Sequence, residues 1–386
     1  MYELEPEELN RALSQIPLFH EIQRVLAARS GPVNWQIATQ IARAVAGAGK
    51  LTKSPAASDT STFQEAVRIA EMQLTARLGT DPSSHLTEVR LIDRVGWVDL
   101  NFETLRPMID RLAARLSGQF GVPGMASPPQ LQTFFDALGP FLIGSQVGFL
   151  TGHLARQQLS GYDLPLPSHG PDLVTFIFPN IVGVAEELDL DDKQFTLWVA
   201  LHESAHRAVF SQHPWVPKHL LDLVTGYIDA AQIDLAEIMS KLENIGETDA
   251  LAQLTQRPDQ LLPLLVNDEQ KGHLPKIQAF LAVIEGHADH LVEQISGGGL
   301  IPESEKISEA IVRRRAETSS ADRLLNQLLG VDLKPETYRA GVRFIKAVAE
   351  AGRQEVLWRG PDSLPLLDEI TQPSAWLSRV GFSTGP

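Results

Sequence analysis

Cysteine is missing from all 386 residues. That absence removes disulfides, thiolate zinc sites and cysteine nucleophiles, so any metal has to sit on histidine and carboxylate. Basic charge is short as well, with 33 Lys and Arg against 48 Asp and Glu and a formal net charge of −15. Such a balance opposes the phosphate neutralisation on which nucleic-acid binding depends, and nucleic acid is not expected as a partner. Apolar runs are broken by charge, Gly or Pro before they reach the roughly 20 residues of a membrane helix. The opening MYELEPEELNRALSQ is acidic where a secretory signal carries a basic start and an apolar run. A cytoplasmic protein with no membrane partner is expected.

What is present is the residue balance of a globular chain, 43% hydrophobic and 21% charged, able to bury a core. Apolar positions recur at helical spacing over 7–29, 33–48, 63–78, 131–160, 193–212, 217–244, 247–255, 274–295, 303–329, 335–352 and 363–370, and a further helix is expected around Leu105 to Leu112. One segment reads as a strand: LVTFIF at 173–178, β-branched and aromatic, closed by Pro179-Asn180. The fold class expected is therefore mainly α, with a small β-element. Three prolines and a glycine in 122–130 mark the best internal boundary, between an N-terminal helical region, 1–121, and a second region, 131–386, unless the two form one compact domain. Gly144, Gly148 and Gly152 recur every four residues and predict a closely packed helix pair.

The chemistry concentrates in TLWVALHESAHRAVF, an HExxH pattern inside a helix. Four residues at about 100° each return His206 almost to the face of His202, so both imidazoles can meet one ion. Two histidines and Glu203 in an apolar helix need partners, and a metal is the economical one. Zinc suits imidazole and lowers the pKa of bound water towards about 7, which Glu203 can then deprotonate. A third ligand is required. Glu285 and Asp289 lie four apart on the helix QAFLAVIEGHADHLVEQI, which predicts Glu285 as ligand and Asp289 as acceptor from the other ring nitrogen of a ligand histidine. His287, His290 and His213 compete for the ligand role. Gly286 can serve a close helix approach. The strand lies just before the metal helix, so a free edge on 173–178 is expected to hold an extended substrate.

The combination HESAHRAVF, EGHADH, LVTFIFPNI and SLPLLDEITQPSAWLSRV, spread from about Val33 to Val380, resembles the zincin-like metallopeptidases of type two, also described as hydrolases linked to deazaflavin-coenzyme biosynthesis. The resemblance implies a mostly helical zincin-like metallohydrolase using zinc at His202, Glu203 and His206. Its glutamate followed four residues later by aspartate is similar to the thermolysin-like arrangement and maps to Glu285 and Asp289, across a longer gap between the two helices. Enzymes of this kind need a donor opposite the base for the tetrahedral oxyanion. Tyr338 is the first candidate among only 4 tyrosines, while Arg313, Arg314 and Arg315 can bind a substrate carboxylate. The expected activity is hydrolysis of a peptide or a small amide. The competing class is a helical interaction protein with a structural or vestigial metal site, which an intact Glu203 argues against.

Overall fold

The computed structural model describes residues 31–48, 54–79, 87–117, 129–162, 173–231, 267–316, 330–331 and 333–381. Its first elements are α1 (Trp35–Gly47), α2 (Ala57–Leu78), β1 (Glu88–Ile92), α3 (Arg94–Ser117), α4 (Pro129–Leu154) and β2 (Leu173–Ile177). Then come α5 (Phe178–Glu187), α6 (Asp192–Gln212), α7 (Trp215–Asp229), α8 (Asp268–Ile295), α9 (Ser304–Ala316) and α10 (Pro335–Glu350). The last described helices are α11 (Gln354–Leu357), α12 (Leu367–Thr371) and α13 (Pro373–Gly381). Helix is the dominant element, as the periodicity predicts. No helix among the described residues is long and apolar enough to cross a membrane. The expected helices at 7–29 and 247–255 lie outside the described residues, as do 122–128 of the expected boundary.

Three hydrophobic clusters hold these elements together. The largest joins α1, α3 and α4 to α7 and α8 through Trp97, Leu105, Leu150, Tyr227 and Phe280. A second packs α2, β2, α5, α6 and α8 around Phe63, Phe176, Phe195 and Leu291. The third joins α8 to α10 and the C-terminal helices around Phe344 and Trp376. Helix α8 belongs to all three, and is thereby fixed from several sides. It starts where Asn267 and Gln270 form a reciprocal cap, the Asn267 side chain accepting from the Gln270 amide at 2.8 Å.

The glycine row of α4 is a backbone contact with α1. A Cβ added at Gly144, Gly148 or Gly152 would stand 2.4, 2.5 or 2.7 Å from the carbonyl oxygen of Asn34, Ala38 or Ala42. Helices this close have no room for a methyl group. Gly148→Ala is expected to lower stability by about 1–3 kcal/mol through overpacking, offset by about 1 kcal/mol of helix propensity. Gly272→Ala, where an added Cβ meets nothing within 4 Å, is the control and should stabilise. Urea unfolding of both variants decides the matter: a Gly148→Ala protein stabilised as much as Gly272→Ala would remove the close contact.

The β-element departs from the sequence expectation in three ways. Strand β2 ends at Ile177, because Phe178-Pro179 opens α5. Pro179 closes the strand and also starts a helix, where its missing N–H costs nothing. A second strand, β1, pairs with β2 in parallel, Glu88 opposite Leu173 and Ile92 opposite Ile177. Most importantly, the other edge of β2 is occupied. Ser160 bridges Phe176 in antiparallel sense, the Gly161 amide donates to the Thr175 carbonyl at 3.0 Å, and Ile177 donates to Leu159 at 2.9 Å. Among the described residues the edge expected to be free on 173–178 is thus occupied over Thr175–Ile177: there β2 lies between β1 and residues 159–161. Correspondingly, α4 stops at Leu154 and does not run on to 160. In the tail, Pro365 breaks the helix expected at 363–370, leaving α12 at 367–371.

Candidate metal centre

Helix α6 is capped by Asp191, whose side chain accepts from the Gln194 amide at 2.9 Å, and runs buried from Phe195 to Phe210, apart from the partly exposed Leu197. His202 and His206 therefore leave the helix into protein. Their ring centroids stand 4.7 Å apart. Trp198 stacks on His202 at 5.2 Å, one turn before it, and Tyr162 stacks on His206 at 6.1 Å. Flat aromatic partners on both rings restrict the rotation of each imidazole.

Helix α8 crosses α6 and delivers two carboxylates to this pair. Oε1 of Glu285 lies 3.6 Å from Nε2 of His206, and Oδ1 of Asp289 lies 3.3 Å from Nε2 of His202. Ligand atoms of His202, His206 and Glu285 all fall within 4.8 Å of one another, and all three residues are buried. Nε2 of His202 is buried and makes no hydrogen bond among the described residues; Asp289 faces this nitrogen at 3.3 Å, whereas the expectation was the ring nitrogen turned away from the ion. A buried ring nitrogen in that state is costly unless something else engages it. Two imidazoles and a carboxylate are the donor set zinc accepts, so the residues fit that ion.

Glu203 is fully buried and does not join the three-residue group. Its Oε1 accepts from the amides of Gly161 at 3.0 Å and Tyr162 at 3.3 Å, and its Oε2 accepts from Tyr162 at 3.3 Å. The carboxylate is aimed by the backbone of the segment that covers β2. Burial, followed by the nearby Glu203 charge, pushes the Tyr162 phenol above its ordinary pKa, so it stays protonated. Four residues on, the fully buried Arg207 donates to Glu71 on α2 at 2.5 Å, which ties α6 to α2.

Tyr338, on α10, reaches the same place by another route: its hydroxyl donates to Oδ2 of Asp289. The competing histidines are elsewhere. His287 stands edge-on to Trp358, with ring centroids 5.0 Å apart, and its burial pushes its pKa down to about 3. His213 stacks on the same indole at 5.2 Å, and burial lowers its pKa too. Nε2 of His290 lies 2.8 Å from the Gln294 side chain. Of the arginine run, Arg313 is exposed and Arg314 donates to the Gln157 carbonyl at 2.7 Å, while the Arg315 side chain is outside the description. Gly286 serves a close approach, but to α10: a Cβ there would lie 2.6 Å from the Gly341 backbone. The Gly161 and Tyr162 amides escaped sequence reasoning because a backbone donor leaves no residue signature.

A family model described as zincin-like metallopeptidase matches residues 33–377. The chain belongs to that family. This zincin-like chain also resembles the crystal structure of "a putative hydrolase with a novel fold" from Chloroflexus aurantiacus, at a TM-score of 0.65 and 25% identity. That match covers 92% of this chain and 100% of the other. None of the curated proteins matches it.

Proposed function

We propose that this zincin-like protein is a zinc-dependent hydrolase that cleaves an amide bond in a compact substrate. The observation that carries the reading is the convergence of His202, His206 and Glu285 in one buried group, with the buried Glu203 next to His202 along α6. Those three residues would hold the ion, which when bound supplies Lewis-acid polarisation and acidifies water. Glu203 acts as the base. It takes the proton of the attacking water and returns it to the leaving nitrogen, with the Gly161 and Tyr162 amides fixing where its oxygens point. Burial keeps bulk water from competing with the substrate's contacts.

The choice of a compact amide over an extended peptide follows from β2. With β1 on one side and residues 159–161 on the other, its backbone over Thr175–Ile177 is already paired and cannot add a substrate strand. Recognition then falls to side chains around the metal group. Metal analysis tests the reading most directly: the purified protein should carry stoichiometric zinc and His202→Ala should lose most of it. Equal metal in the two proteins would remove the site as drawn.

A further inference from the structure

Tyr338 is the residue the sequence offers as an oxyanion donor, and in the structure its hydroxyl donates to Oδ2 of Asp289. The two oxygens of that carboxylate have different partners. Oδ2 accepts from Tyr338, while Oδ1 lies 3.3 Å from Nε2 of His202. An aspartate beside an imidazole can swing about two side-chain torsions. Holding one oxygen fixes the plane, and with it the place of the other oxygen against the histidine.

The holding group is itself held at backbone precision. A Cβ at Gly341 would stand 2.2 Å from the Ala282 carbonyl oxygen, and one at Gly286 would stand 2.6 Å from the Gly341 carbonyl carbon. At that crossing α8 and α10 touch main chain to main chain, so neither can slide past the other without a clash. Asp289 lies one turn beyond Gly286, and Tyr338 one turn before Gly341. The hydroxyl and the carboxylate therefore meet in a register that the glycines set.

We infer that Tyr338 is a positioning residue, which pins Asp289 and through it orients His202 in the group proposed to hold zinc. This rests on the metal reading above and adds to it a residue outside the group of three. Outer partners of metal ligands commonly govern affinity by about 10–100-fold when removed. One step further out, the effect of Tyr338 should be about tenfold.

Zinc affinity, measured on the full chain by competition with a chromophoric chelator, supplies a readout independent of turnover. Tyr338→Phe removes one oxygen and keeps the ring, and should bind zinc about tenfold more weakly. Asp289→Ala should weaken binding by about 10–100-fold. The double variant should match Asp289→Ala alone, because the hydroxyl has nothing left to pin. Circular dichroism of each metal-free variant confirms that it is folded. Unchanged zinc affinity in Tyr338→Phe would overturn the inference and leave the metal reading standing. A tenfold loss that persists undiminished without Asp289 would overturn it too, since the ring would then act by packing. A wild-type protein that takes up no zinc would overturn both.

Discussion

Replacing Glu203 by Gln is expected to lower turnover by about 10²–10⁴-fold, the usual contribution of a positioned general base. Zinc content should stay at the wild-type level, because Glu203 is not among the three residues whose ligand atoms converge. The substitution is a mild one for the fold. A Gln carbonyl can still accept from the Gly161 and Tyr162 amides that now reach Oε1 at 3.0 and 3.3 Å, while its NH2 cannot accept the 3.3 Å contact made at Oε2. A screen of small amides and short peptides with the wild-type protein provides the substrate. Full activity in Glu203→Gln would exclude it as the base even with zinc in place, and loss of zinc would make it a ligand or a structural support.

Acidification below about pH 6.5 should destabilise the protein through His287. In the unfolded chain this imidazole takes a proton near its ordinary pKa of 6.5, while burial in the fold holds it to about 3. Between those values the unfolded state binds more protons, so stability falls as pH falls. Above 6.5 the group contributes no pH dependence. Inside the window each pH unit costs up to about 1.4 kcal/mol, approaching an upper bound of about 5 kcal/mol near pH 3. His213 and His290 are depressed by burial as well and add in the same direction. Urea unfolding between pH 7 and pH 4.5, with chelator present so that metal release adds nothing, separates His287 from the rest. His287→Gln should have a shallower slope than wild type, and identical slopes would show that the ring is not held neutral.

Helical spacing made the candidate metal group legible. A separation of four places side chains on one face whatever surrounds the helix, so the pairing of His202 with His206 and of Glu285 with Asp289 needed no tertiary knowledge. The row Gly144, Gly148, Gly152 was readable for the same reason. Strand β1 was not, because EVRLI alternates charge with Val89 and Leu91 over only five residues and becomes a strand by pairing with β2. Residues 159–161 ended a helical pattern in sequence, and only the sheet shows that they fill an edge. The partner of Tyr338 was hidden as well, since nothing local links it to a carboxylate that lies 49 positions away.

That distance has a consequence for folding. Glu203 is bound by amides 42 and 41 positions before it, and Asp289 by a hydroxyl 49 positions after it. Each such contact closes a long loop, whose entropy has to be lost before the contact is gained. The centre is therefore assembled by docking of α6, α8, α10 and the segment ahead of β2, and no fragment carrying one helix contains it. An ion that binds the docked form and not the open chain pulls the whole equilibrium towards native, by about 4 kcal/mol when its free concentration is 1,000 times its dissociation constant. Zinc would then act as a clamp on topology as well as a reagent, and its loss would loosen contacts across all three hydrophobic clusters at once.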